Sequence, residues 1–198
     1  MIMKNILLIA CIVFCGCATA SANLCHEKEY WIEEINKTNS LERNKVKRCL
    51  DSDIESQRKT TLVITEVIKN GAAKLKTVSI DAAPTTDKDF NDFYINTILY
   101  AVGHNKTIEN LTLFNAVADR AFKVAKVMLD NKTIKRLSLD KSDFTDQGAL
   151  AIADALNVNK SLIWLSMEDS KFSMSSREAI RKAWSANKVE GREEKILF

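Results

Sequence analysis

Ile134-Lys135-Arg136-Leu137-Ser138-Leu139, the connector Asp140 to Thr145, and Asp146-Gln147-Gly148-Ala149-Leu150-Ala151-Ile152-Ala153-Asp154-Ala155-Leu156 form the stretch whose reading decides the fold. The first part alternates polar and apolar residues, which places Leu137 and Leu139 on one face of a short strand. In the last part Ala149, Ile152, Ala153 and Leu156 recur at helical spacing and make one buried stripe. Asp143, Thr145 and Asp146 supply oxygen side chains where the helix needs its first N–H groups capped. The stretch therefore reads as strand, loop and helix.

The same phrase recurs on both sides. Asn105-Lys106-Thr107-Ile108-Glu109-Asn110-Leu111-Thr112-Leu113 precedes it, Asn131-Lys132-Thr133-Ile134 opens it, and Asn159-Lys160-Ser161-Leu162-Ile163-Trp164-Leu165-Ser166-Met167 follows it. The three Asn-Lys pairs stand 26 and then 28 residues apart. A weaker copy stands earlier at Leu75-Lys76-Thr77-Val78-Ser79-Ile80, and a copy starting at Asn187-Lys188 fails at Glu190 and Gly191. The helical stripe recurs with the phrase, as Ile95, Ile98, Leu99 and Val102 and as Ala121, Val124, Ala125 and Met128. A fixed period of this length marks a stack of equal units in which neighbours bury each other's apolar faces. At each joint, asparagine suits the left-handed residue that ends a helix, and the lysine after it suits the negative helix end. The expected architecture is α/β: a solenoid with parallel strands on one side and helices on the other.

Ile134 to Leu162 resembles the leucine-rich repeats of the ribonuclease-inhibitor type. The match runs Ile-x-x-Leu-x-Leu-x-x-Ser-x-Phe-Thr-Asp-x-Gly-Ala, then Leu150, Ile152, Ala153 and Leu156, and continues more weakly over Leu75 to Trp184. Ser142 and Ser170 depart from it where Asn or Cys is usual, and Ala82 to Asp92 makes a longer loop. The resemblance implies a curved repeat fold that binds macromolecules and carries no catalytic machinery.

A stack of repeats needs atypical units at its ends. Asn23 to Asn70 is expected to be a helical N-terminal cap: Tyr30, Trp31, Ile35, Leu41, Val46 and Leu50 form two short helical patterns, and Ile64, Val67 and Ile68 face inward from a longer helix ending at Asn70-Gly71. Residues 71–198 then form the solenoid, closed by a helix with Ile180 and Trp184. Residues 1–22 read as a secretory signal peptide, with Lys4, the apolar run Ile6 to Cys17, and small-x-small sites at Ala18 to Ala22. The protein is expected to be secreted or periplasmic. Gly16-Cys17 leaves a lipoprotein reading open, in which Cys17 tethers an envelope scaffold and is the only route to a membrane. Cys25 and Cys49 remain after cleavage and suit one disulfide in an oxidising compartment, worth about 3 kcal/mol. A zinc reading would need Cys25, His26, Cys49 and His104, and adjacent Cys-His is not ligand spacing.

The charge of +3 is small and forms no basic run, so nucleic acid is not an expected partner. The two histidines stand in no triad or metal motif, and the five glycines form no phosphate loop, so no enzyme and no cofactor are expected. Function is expected on the open sheet face of a monomer, facing a protein partner. Three columns of residues should point there: Thr77, Asn110, Arg136, Trp164; Ser79, Thr112, Ser138, Ser166; and Asp81, Phe114, Asp140, Glu168. Trp164 and Arg136 should be neighbours on adjacent strands; they are also types enriched at binding hot spots and can equally stack on each other. Phe114, Asn110, Asp140 and Glu168 complete the candidate surface. The Ser/Thr column reads as small filler, and the acids as a solvated rim or a lure for a basic partner or calcium. Asn36, Asn105, Asn110, Asn131 and Asn159 open Asn-x-Ser/Thr triplets, which the repeat explains better than glycosylation does.

Overall fold

Residues 24–50, 53–71, 73–117, 120–193 and 196–198 are described by a computed structural model of the chain. The expected signal segment, residues 1–22, and Cys17 lie outside them. Five strands form one sheet in chain order: β1 (Ser40–Leu41), β2 (Thr77–Asp81), β3 (Asn110–Phe114), β4 (Arg136–Ser138) and β5 (Trp164–Ser166). Every pairing is parallel, and Leu111, Leu137 and Leu165 lie side by side in register. A helix follows each of the last four strands: α4 (Lys88–His104), α5 (Arg120–Asp130), α6 (Asp146–Val158) and α7 (Met174–Ala186). Ahead of them stand α1 (Lys28–Thr38), α2 (Arg43–Cys49) and α3 (Ile54–Glu66), the last running on through a wider helical turn to Gly71. Among the described residues no helix is long and apolar enough to cross a membrane.

The core follows from the two periodicities. Leu111 and Leu113 are buried while Asn110, Thr112 and Phe114 between them are half-exposed. The four-residue stripes of α4, α5 and α6 are buried without exception. Caps sit where oxygen side chains allow them: Asp87 accepts from Phe90 N–H, Thr145 from Gly148 N–H, and Ser173 from Ser176 N–H.

The joints differ from expectation in mechanism. Asn105, Asn159 and Asn187 have extended backbones, with φ of −69°, −70° and −87°, and are not left-handed. Each side chain is buried, and those of Asn105, Asn131 and Asn159 work as double-sided clips. Asn131 Oδ1 accepts from Thr133 and Ile134 N–H, and its Nδ2 donates to Val102 O and Asn105 O in the preceding unit. Asn105 and Asn159 repeat the set, reaching back to Ile68 O and Met128 O. Asn187 donates to Leu156 O and Asn159 O. Burial of Asn105, Asn131 and Asn159 also removes them as glycan acceptors. The left-handed residues other than glycine stand just past the strands instead, at Asn115, Lys141 and Asp169, with Asn39 ending α1.

Among the described residues of 23–70 three helices form, α1 to α3, and Ser40 and Leu41 between the first two pair with Thr77 and Val78 and begin the sheet. Cys25 and Cys49 are joined by a disulfide. At the other end Leu197 bridges Ser166 in parallel, and Glu193 N–H donates to Ile163 O, so the tail covers the outer edge of β5. Arg192 closes the asparagine ladder: its guanidinium donates to Asn159 O, Leu162 O, Trp184 O and Asn187 O. Burial holds its pKa below the usual arginine value.

Candidate functional site

Parallel pairing places the first column in a row. Thr77, Asn110, Arg136 and Trp164 are in register across four strands, and Ser40 extends the row by one. Arg136 is exposed and Trp164 half-buried. The Arg136 guanidinium lies 4.5 Å from the Trp164 ring centroid, a cation–π distance. Glu193 from the tail reaches Arg136 at 3.5 Å. Asn110 is tied sideways to Thr77, its Nδ2 donating to Oγ1 over 3.2 Å.

Phe114 stands on the same face in the third column, and the Arg43 guanidinium lies 4.3 Å from its ring centroid. The face therefore carries two arginine–aromatic pairs. Arg43 and Glu193 had escaped sequence reasoning. Both reach the site from residues remote in the chain, at the start of α2 and in the tail, so no local spacing could announce them.

The other two columns are corrected by the structure. Ser138 and Ser166 are not open filler but buried, because the Asp140 carboxylate folds over them. Asp140 accepts from Ser138 Oγ at 2.7 Å, from Ser166 Oγ, and from Glu168 N–H at 2.9 Å. Asp81 is not a solvated rim residue either. It is 8% exposed and accepts from Ala83 N–H and Asn115 Nδ2. Glu168 alone of these acids stays exposed, with its backbone tied to Asp140 and Lys141. The donors that hold Asp81 and Asp140 come from the chain itself, so these carboxylates hold loops in place. Of the six candidate residues, Asn110, Arg136 and Trp164 share one row, Phe114 stands above it, and Asp140 and Glu168 lie in the turns beyond the strand ends.

At the helix-start edge, α5 begins with a buried arginine. Arg120 donates to Ala82 O and, over 3.0 Å, to Asp92, tying the start of α5 to the connector after β2 and to the first turns of α4.

Neither a protein-family model nor a curated protein matches the chain. Among solved structures it is similar to one described as leiomodin-1 actin-binding site 2, at 20% identity and a TM-score of 0.50, covering 69% of this chain and 90% of that one. It is also similar to a Caenorhabditis elegans tropomodulin C-terminal domain, at 18% identity and a TM-score of 0.42, covering 69% and 93%. The first likeness, with the parallel sheet and its helices, shows a leucine-rich-repeat-like α/β fold.

Proposed function

We propose that this chain is an exported, non-catalytic repeat protein that binds a protein partner through the open face of its sheet. The fold is read as a short solenoid of the ribonuclease-inhibitor type, with residues 23–70 as its N-terminal cap. Residues 1–22 are read as a signal peptide removed on export, which N-terminal sequencing of the secreted protein tests directly. The observation that carries the proposal is the pair of arginine–aromatic stacks on that face, Arg136 with Trp164 and Arg43 with Phe114. Arginine and large aromatics are the groups that supply most binding energy at interfaces. Stacking orders the guanidinium planes in advance and reduces the entropy lost on docking. The leiomodin-1 structure is an actin-binding site of that protein; at 20% identity the likeness supports a macromolecular partner for this fold and does not name actin.

The test is capture of a partner by the mature protein compared with Trp164→Ala/Arg136→Ala. Loss of the partner, with an unchanged melting curve, supports the open face. A matched variant on the helix side, Phe122→Ala, should retain it. If the double variant keeps the same partner, the face is not the site.

A further inference from the structure

The asparagine ladder has a consequence for charge. Because Asn105, Asn131, Asn159 and Asn187 stack from unit to unit, the residue after each must stack as well, and in every unit it is lysine. Lys106, Lys132, Lys160 and Lys188 are all exposed along one edge of the molecule, where the helices end. Among the described residues none of the four forms an ion pair. Lys132 donates to Leu129 O and Lys160 to Asn187 Oδ1, both uncharged acceptors, so the positive charges stay unneutralised. The nearby acids are partly spoken for. Glu109 is held by Lys76 and Lys135, and Asp130 by Lys126. The opposite edge is mixed in charge: Asp53, Asp87 and Asp146 each accept N–H groups at helix starts there, beside exposed Lys88, Lys141 and Lys171. Lysines at helix ends and acids at helix starts offset the helix dipoles. They also leave the molecule with one cationic edge.

That edge is not uniformly polar. Leu129 is 44% exposed and Val158 56% exposed, each within three residues of a lysine of the row. Ile163 and Val189 line the shallow hollow between Lys132, Lys135 and Lys160, where Glu190 is the single acid against three lysines. We propose that this edge docks on an anionic lipid bilayer, independently of any lipid on Cys17 and of the partner face. Lysine is a point charge that suits a diffuse anionic surface, whereas a discrete carboxylate or phosphate favours the arginine fork. The exposed leucine and valine add nothing toward a polyanion in water, but at a lipid interface they gain by burial among acyl chains. Docked this way, the helix ends face the bilayer and the sheet stands on its edge, so the arginine–aromatic face stays open to a partner.

The experiment is vesicle flotation of the full chain with phosphatidylcholine vesicles, with and without phosphatidylserine. Wild type is compared with Lys106→Glu/Lys132→Glu/Lys160→Glu and with Leu129→Ser/Val158→Ser. All variants keep the same N-terminal stretch, and the phosphatidylcholine arm reads whatever binding that stretch supplies. Circular dichroism melts establish that each variant is folded. The expected result is serine-lipid-dependent flotation, weakened by roughly tenfold or more in the charge-reversal variant and by salt. The leucine–valine variant should weaken flotation while leaving retention on soluble polyglutamate unchanged. Serine-lipid-independent flotation, equal flotation of folded charge-reversal protein, or polyglutamate retention without flotation would each overturn the proposal, the last in favour of an acidic polymer.

Discussion

The two edges of the sheet solve the same problem differently. At the edge where helices hand over to strands, one chemistry recurs at Asn105, Asn131 and Asn159: a buried asparagine accepts two N–H groups ahead of it and donates back to carbonyls of the unit behind, and Asn187 keeps the donating half. At the edge where strands hand over to helices, the backbone repeats, with parallel bridges from Val117 through Asp143 to Lys171, but the side-chain ties of each connector are improvised. Asn115 binds Asp81, Arg120 reaches Ala82 and Asp92, Ser170 links Leu139 to Ser142, and Asp146 holds the next helix start. The regular edge fixes the spacing between units. The irregular edge varies in its side-chain ties more than in length: the longer loop expected over Ala82 to Asp92 ends at Asp87, because α4 begins at Lys88. Stability should therefore depend more steeply on the first edge.

The largest expected effect is Asn131→Ala. It strands Thr133 and Ile134 N–H and removes two donors from the carbonyls of Val102 and Asn105, in a residue 1% exposed. With about 1–3 kcal/mol for each buried group left unpaired, the loss should be about 3–5 kcal/mol once relaxation is allowed for. Urea denaturation measures it. A loss below about 1 kcal/mol would mean that the ladder follows the stacking and does not enforce it.

Where the sequence showed the fold and where it did not follows from the same contrast. Regular units repeat their residues, so the strand and helix stripes and the row from Asn110 to Trp164 were legible. The asparagines were located correctly and explained wrongly, since asparagine suits both a left-handed end and a ladder. The cue that separates the two was present in Asn-Lys-Thr-Ile and Asn-Lys-Ser-Leu: the residues two and three further on are the ones whose N–H groups the side chain takes. The other edge keeps the period only in its backbone, in the left-handed Asn115, Lys141 and Asp169, and its side-chain ties follow no pattern to read. Asp81 and Asp140 looked like surface acids because their partners come from neighbouring units, and Arg120 carries no sign of burial in its own surroundings. Strand β1 is two residues long and could not show alternation.

A middle effect is expected for Ser170→Ala. Its Oγ donates to Leu139 O over 2.9 Å and accepts from Ser142 N–H over 3.2 Å, inside the protein. Loss of both should cost about 2 kcal/mol, clearly less than the asparagine. Equal losses in matched urea melts would erase the difference between the edges.

Asp146→Asn tests the improvised edge by pH. Hydrogen bonds from Ser173 N–H and Ser176 Oγ hold the Asp146 carboxyl below the usual aspartate range. A carboxyl lowered on folding stabilises the fold above its unfolded value of about 3.9, and that contribution fades as pH falls through the lower folded value. Wild type should therefore be more stable than the variant near neutrality, with the two melting temperatures converging in acid. A gap that does not change with pH would assign the effect to geometry and not to charge.

The smallest effect, and the only one of opposite sign, belongs to Ser142→Ala. Its Oγ is buried with no hydrogen-bond partner among the described residues, while its N–H keeps the bond to Ser170 whatever the side chain. The corresponding position one unit earlier is Ala116, buried in the same way, so the site accepts a methyl group. Deleting an unpaired buried hydroxyl should leave stability unchanged or raise it by up to about 1 kcal/mol. Were Ser142→Ala instead to cost as much as Ser170→Ala, the hydroxyl would have to be satisfied by a bound water, and the serine pair at 142 and 170 would be a second ladder equal in kind to the asparagines.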